Sequence, residues 1–350
     1  MDFSKYKEDF IRLAKNRGIG HQDIEAMLEY AQHLTSKHLP IIYDQYHLSL
    51  LLGYNYFFLL SITNSKHTFY KHYEIPKHNG GIRQIEEPFP ALKEIQNWIL
   101  KNILEPASFK FVSSVAKAFI PGKSIKENAR FHKKQNIVVA LDIKDFFGSI
   151  KFKYIYSLFI KLGYNKPVSV LLAHLCTYKG VLPQGAPTSP MLSNLFIFDV
   201  DKKIFGYCLK RKIRYTRYAD DLTFSSDKIN VNHLIAYVNN NIKTLSLALN
   251  NDKTKVMGRG MSQHVTGIVV NEKMQVPRTI RKKIRQEIYY CIKYGIKNHM
   301  KYASIPSWIF TTQQYINHLS GKVQYVLQIN PKDKEFIRYS LWLKDIQKTI

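Results

Sequence analysis

Residues 214–225 read RYTRYADDLTFS, and the reading of that stretch decides the fold. β-prone residues flank a short polar centre, which predicts two short strands joined by a tight turn that holds Asp220 and Asp221. Adjacent carboxylates repel, so a cation has to compensate them. Upstream, residues 137–143 read IVVALDI, an apolar strand-like run that brings Asp142 to its end. Three carboxylates at strand ends suit two Mg²⁺ ions, because Mg²⁺ favours a few carboxylates plus substrate phosphates over an all-protein cage. Two metals held in this way stabilise the attacking and leaving oxygens of an in-line phosphoryl displacement. The plainer reading is a hairpin turn that uses Asp for its backbone tolerance. Tyr218-Ala219-Asp220-Asp221 by itself leaves both readings open.

Charge favours the chemical reading. The 350 residues hold 52 Lys+Arg against 26 Asp+Glu, a net +26. Such an excess predicts a polyanionic partner, nucleic acid before membrane, with a solvated Lys-rich surface as the alternative. At 45% hydrophobic and 13% aromatic, the chain can bury a sizeable core and is no disordered basic tail. The longest apolar stretch, Leu48 to Ile62, is too short to span a bilayer and reads as a core helix. The first residues, MDFSKYKEDF, have no signal-peptide core. Cys176, Cys208 and Cys291 are far apart and odd in number, and no Cys/His cluster has zinc spacing. A cytoplasmic protein with no membrane association is expected.

Working outward, residues 1–35 carry helical spacing through Phe10, Ile11, Ala14, Ile24, Met27, Leu28 and Ala31. Residues 70–88, YKHYEIPKHNGGIRQIEEP, read as strand, Asn-Gly-Gly turn, strand. Lys77 and Arg83 flank that turn, where two cations could clamp a triphosphate. A helix with Leu92, Ile95, Ile99 and Ile103 on one face follows. LPQGAPTSP, at 182–190, is a rigid loop in which Ser189 and Pro190 suit the N-cap and first position of a helix. Positive charge is concentrated in two places. Residues 101–136 hold eight Lys+Arg against two Glu, and the last 80 residues hold 15 against five acidic ones.

These blocks in this order resemble the reverse transcriptases, from about Tyr70 to about Pro331. The matching blocks are IPKHNGGIRQIEEP, LKEIQNWI, VALDIKDFFGSI, LPQGAPTSPMLSN, YTRYADDLTFS, NNDKTK and VTGIVVN. The resemblance implies an α+β right-hand polymerase with fingers, a palm built on an antiparallel sheet, and a helical thumb. It implies a metal set of Asp142, Ile143, Asp220 and Asp221 around two Mg²⁺ ions. By the same resemblance Phe147 is the steric gate against a ribose 2′-OH, and Gln184 meets the incoming nucleotide or the templating base. Lys77 and Arg83 bind dNTP phosphates, and Lys253 is the general acid for the leaving pyrophosphate.

Asn128 and His132 fit an NAxxH pattern, and Val265-Thr266-Gly267 fits a VTG pattern. Together these are similar to bacterial retron enzymes. That implies a structured noncoding RNA as template and primer, DNA synthesis started from an RNA 2′-OH, and a branched RNA–DNA product (msDNA). It also implies an antiphage setting with a separate effector protein. Arg278, Arg281, Lys282 and Arg285 are the candidate RNA-binding residues in the basic C-terminal segment. The expected division is an N-terminal helical segment at 1–35, fingers at 36–136, palm at 137–272 and thumb at 273–350. The alternatives are an intron-type or other defence reverse transcriptase, and an inactive nucleic-acid-binding scaffold.

Overall fold

The computed structural model describes residues 3–64, 66–76, 80–303, 305–306 and 308–349. The chain divides into two compact units. One comprises Met1–Pro121, Asp142–Tyr207 and Ile235–Asn250, the other Gly122–Leu141, Cys208–Leu234 and Asn251–Ile350.

The first unit opens with helices Phe3–Asn16 and His21–Thr35. Ala14, Ile24 and Leu28 close a small core between them, with Phe10 and Ile11 against it. The pair is tied down by polar contacts. The Tyr30 hydroxyl donates to the Ile42 carbonyl (2.9 Å), and the Lys37 ammonium donates to the Leu162 carbonyl (2.8 Å). The single core helix expected over 48–62 is instead two short helices, Gln45–Leu52 and Tyr56–Asn64. Gly53 ends the first in a left-handed conformation (φ 71°), and the Asn55 side chain accepts from the Phe57 amide (2.8 Å) to start the second. The break leaves Leu50 and Phe57 exposed rather than in the core.

Strands β1 (Tyr70–Pro76) and β2 (Ile82–Pro88) form the expected antiparallel hairpin, with Tyr70 opposite Pro88 and Pro76 opposite Ile82. Gly80 and Gly81 both have positive φ (82° and 83°), which a side chain would resist. Helix Pro90–Ile99 then buries Leu92, Ile95 and Ile99, and Ile103 continues that face through a π-helical turn. Fully buried Gln96 donates to the Leu175 carbonyl (2.8 Å) and the Tyr70 hydroxyl (3.0 Å), so this packing carries its own polar register.

A four-stranded sheet is formed by β3 (Ile137–Asp142), β4 (Arg214–Tyr218), β5 (Asp221–Ser226) and β6 (Lys255–Gly258), in the order β4-β5-β3-β6. The β4–β5 and β3–β6 pairings are antiparallel. A two-stranded ribbon, β7 (His264–Val265) and β8 (Ile268–Val269), follows. Among the described residues, helices Arg278–Tyr294, Ile296–Tyr302, Thr312–Ile329 and Lys334–Thr349 come after it. Val138, Val265, Ile268, Ile284, Ile288, Leu319, Val323 and Phe336 make one core from sheet, ribbon and helices. The third helix begins on a reciprocal cap between Thr311 and Gln314. Gly321, in that helix, has open space around it, and a methyl group there would meet nothing within 4 Å. Among the described residues, no helix is long and apolar enough to cross a membrane.

Candidate active site

The β4–β5 register puts Tyr218 opposite Asp221, so the turn proper is Ala219-Asp220 and Asp221 opens β5. A two-residue turn between right-twisted strands needs positive φ, and Ala219 supplies it at 57°. For a residue with a Cβ that conformation costs about 1–3 kcal/mol and persists only where the surroundings over-determine it. One such determinant is Arg217. It is fully buried, and its Nη1 donates to the Ala219 carbonyl (3.0 Å). Asp220 is half-buried and Asp221 exposed. Nothing in the spacing of RYTRYADD distinguished Arg217 from the surface cations. Alternation puts it on the same face of β4 as Tyr215 but carries no information on whether that face is covered.

Asp142, largely buried, is the last residue of β3, and β3 lies next to β5 in the sheet. The chain then makes an antiparallel bridge between Ile143 and Leu249. The flanking bonds run from the Asn250 amide to the Asp142 carbonyl (2.7 Å) and from the Lys144 amide to the Ala248 carbonyl (2.9 Å). Ile143 is therefore the non-hydrogen-bonded partner, and its own carbonyl points away from Leu249. That carbonyl is the only ligand atom an isoleucine can offer a metal. Among the described residues, no three His, Cys, Asp or Glu side chains are grouped to hold an ion by themselves. A hard-oxygen set of a few carboxylates completed by substrate phosphates fits this arrangement, whereas a closed structural metal cage does not.

The NAxxH and VTG residues belong to a buried network under the hairpin. His132 is fully buried, with Nδ1 2.7 Å from the Ser225 hydroxyl and Nε2 2.7 Å from the Thr216 hydroxyl. It thus staples β5 to β4. Burial, with a smaller contribution from the Arg214 charge, lowers its pKa to about 3, so the ring is neutral. Asn128 is also fully buried and donates to the Thr266 hydroxyl (3.4 Å), while its Oδ1 has no hydrogen bond. Thr266 and Gly267 form the β7–β8 turn, both with positive φ (45° and 79°), and Val265 is in the core. The two patterns are therefore one structural contact.

In the first unit, the 182–190 loop docks on β2. The Glu86 amide donates to the Gln184 carbonyl (2.7 Å). Gly185 has φ 136°, and a Cβ there would fall 2.6 Å from the Glu86 carbonyl oxygen. The following helix starts one residue earlier than expected. Ser189 is its first residue, not its cap, and Pro190 falls in the first turn, where a missing N–H costs nothing. Thr188 takes the cap position without a side-chain cap bond, and the Thr188 and Ser189 hydroxyls are buried without hydrogen bonds. Phe146 is core, and Phe147 is half-buried, its ring 6.3 Å from that of Phe119. Arg83 is exposed on β2, and Lys77 lies outside the described residues. Lys253, in the second unit, ends a short 3₁₀ turn and is exposed.

The four C-terminal cations differ from one another. Arg281 donates to Asp333 (2.8 Å), and Arg285 grips Glu335 through two bonds (2.5 and 2.7 Å). These ties join the Arg278–Tyr294 and Lys334–Thr349 helices. They also hold the Glu335 carboxyl below its usual range. Lys282 and Arg278 are exposed.

With this geometry in hand, comparison with known proteins is specific. The reverse transcriptase (RNA-dependent DNA polymerase) family matches residues 75–290. The chain belongs to that family. Its similarity runs to the bacterial retron enzymes. It is 33% identical over 285 residues to the retron Mx65 reverse transcriptase of Myxococcus xanthus, covering 76% of this chain and 62% of that protein. It is 37% identical over 224 residues to the retron Ec86 reverse transcriptase of Escherichia coli, covering 63% and 69%. The chain thus spans about two thirds of the length of these relatives. Among solved structures, a telomerase from Candida albicans in complex with a fragment of telomeric RNA aligns at 10% identity and TM-score 0.46, covering 79% of this chain and 66% of that one.

Proposed function

We propose that this protein is an RNA-directed DNA polymerase of the retron type. The carrying observation is the Ala219-Asp220 turn, with Asp221 opening β5 beside a β3 that ends on Asp142, inside a matched family region. In this reading Asp142, Asp220, Asp221 and the Ile143 carbonyl hold two Mg²⁺ ions. The metals, when bound, neutralise charge on the attacking and leaving oxygens. A primer hydroxyl oxygen forms a bond to the α-phosphorus of a dNTP, and the bond to the bridging oxygen of pyrophosphate breaks. The hydroxyl proton passes to solvent, and Lys253 supplies one to pyrophosphate. Arg83 and Lys77 neutralise the triphosphate, Gln184 sits at the nucleotide, and Phe147 excludes a 2′-OH. Residues 36–136 serve as fingers, 137–272 as palm and 273–350 as thumb.

The relatives' retron character supports a finer reading. A structured noncoding RNA serves as template and primer, a 2′-OH on it starts synthesis, and a branched msDNA results. A separate effector and an antiphage role in the cytoplasm go with this reading.

Two measurements test it. Asp220→Ala with Asp221→Ala should abolish dNTP incorporation on a primed RNA in Mg²⁺ while thermal unfolding is preserved. Persistent incorporation removes the catalytic assignment. The nucleic acid that copurifies should be branched, leaving short DNA after RNase. Purely linear RNA would remove the retron reading while leaving the polymerase reading intact.

A further inference from the structure

Residues 115–119 invert the usual order of burial. Val115, Ala116, Lys117 and Ala118 are all buried, whereas Phe119, the largest apolar residue of the five, is 42% exposed. Its backbone is also in the left-handed region (φ 60°), which a bulky side chain resists. Neither burial nor backbone preference therefore accounts for a phenylalanine at this position. The surroundings impose its conformation. The buried Asn194 side chain, on the Ser189–Phe196 helix, donates to the Ala118 carbonyl (3.0 Å). The Lys117 ammonium donates to the Ser114 carbonyl (2.7 Å), and the Ala116 amide donates to the Ser113 carbonyl (3.0 Å). Backbone strain persists only where such contacts over-determine it, and it concentrates at functional sites.

The strained residue reaches Phe147. The two ring centroids are 6.3 Å apart with their planes inclined at 52°, inside the range of a favourable aromatic pair. Phe147 lies in the short helix Phe146–Ser149, which starts from Asp145, itself at positive φ (43°). Among the described residues its other aromatic neighbour is the adjacent Phe146, at 5.7 Å. Phe119 is thus the ring that arrives from a distant stretch of chain and limits where the Phe147 ring can lie.

We infer that Phe119 is a positioning residue for sugar discrimination: its ring holds the Phe147 ring where a ribose 2′-OH would clash. The inference rests on the reading of Phe147 as the steric gate and deepens it. A gate rejects one extra oxygen atom only if its ring cannot swing aside, and a half-buried ring needs a brace to be held that closely.

The test is single-nucleotide incorporation by the full chain on a primed RNA in Mg²⁺, comparing kcat/KM for a dNTP with that for the matching rNTP. Phe119→Gly removes the ring and suits the positive φ, so the backbone it leaves is unstrained. It should lower the deoxy-over-ribo ratio about threefold to tenfold. Phe119→Tyr, which keeps the ring, should retain the native ratio. Phe119→Gly combined with Phe147→Ala should give the ratio of Phe147→Ala alone, because Phe119 acts through Phe147. A merely structural role would lower both efficiencies together and leave the ratio where it was. An unchanged ratio in Phe119→Gly, while Phe147→Ala shifts it, overturns the inference and leaves the gate reading standing. An unchanged ratio in Phe147→Ala removes the gate reading and the inference with it. A Phe119→Tyr ratio as low as that of Phe119→Gly, or losses that multiply in the double variant, also overturns the inference.

Discussion

Arg217 shows what one side chain can do behind a pair of carboxylates. Its guanidinium is wholly buried and fixes the carbonyl of Ala219, the residue that carries the unfavourable φ of the turn. Arg217→Met should therefore lower kcat at least about tenfold, equivalent to about 1.4 kcal/mol of barrier. Arg217→Lys should recover part of that loss. A fall in melting temperature with kcat unchanged in the folded fraction would make Arg217 a purely structural group. Phe147 makes a second claim at this scale. It is half-buried, with its ring 6.3 Å from that of Phe119. Phe147→Ala should raise ribonucleotide incorporation relative to deoxyribonucleotide by at least about tenfold, the scale set by steric exclusion in a shaped pocket. An unchanged ratio in competition assays places the gate elsewhere. The tight turn holding Asp220 was legible in the sequence because β-prone residues flank it. Arg217 was not, because a lone arginine in a strand looks the same whether it faces solvent or core.

Between elements, glycine requirements separate contacts that matter from contacts that only look plausible. The 182–190 loop lies on β2 through the Glu86–Gln184 bond, and Gly185 has no room for a methyl group beside the Glu86 carbonyl. Gly185→Ala should destabilise the protein by about 2–3 kcal/mol, combining backbone strain with displacement of that contact. It should impair nucleotide incorporation as well. Gly321→Ala is the opposite case. That position is helical and open, so alanine should stabilise by about 0.5–1 kcal/mol through helix propensity. Denaturant unfolding of both variants checks the pair, and a reversed order would refute the packing described here. The loop itself was readable from its prolines, and its docking on β2 was not. Periodicity reports which face of an element is apolar, but it carries no information on which distant backbone amide will meet a carbonyl.

For the molecule as a whole, His132 couples folding to pH. Its folded pKa of about 3 lies below the ordinary 6.5. Below about pH 6.5 the unfolded chain takes up a proton that the folded state refuses. The stability present at neutral pH is therefore lost as pH falls from about 6.5 toward 3, by up to about 1.4 kcal/mol per pH unit. Urea midpoints should drop from pH 7 to pH 5. They should drop less in His132→Gln, where the staple between β4 and β5 no longer titrates. Equal pH slopes in the two proteins would show that other groups dominate.

Charge also acts at this scale, and here sequence and structure divide the work. The net +26, the ordered blocks and the three aspartates were determined by sequence alone, because each depends on residue identity and local spacing. The hairpins and the Leu92–Ile103 face followed from the same local rules. Tertiary structure decided the rest. It turned the NAxxH and VTG patterns into one buried contact, split the 48–62 stretch at Gly53, and drew Arg281 and Arg285 onto Asp333 and Glu335. The physical reason is that a hydrogen bond or ion pair between residues some 50 to 140 positions apart exists only once packing has removed the competing water. Until then a basic run is only a count of charges. Folded, Arg281, Arg285 and Lys322 in that run are tied to Asp333, Glu335 and Glu287, while Arg278 and Lys282 stay exposed.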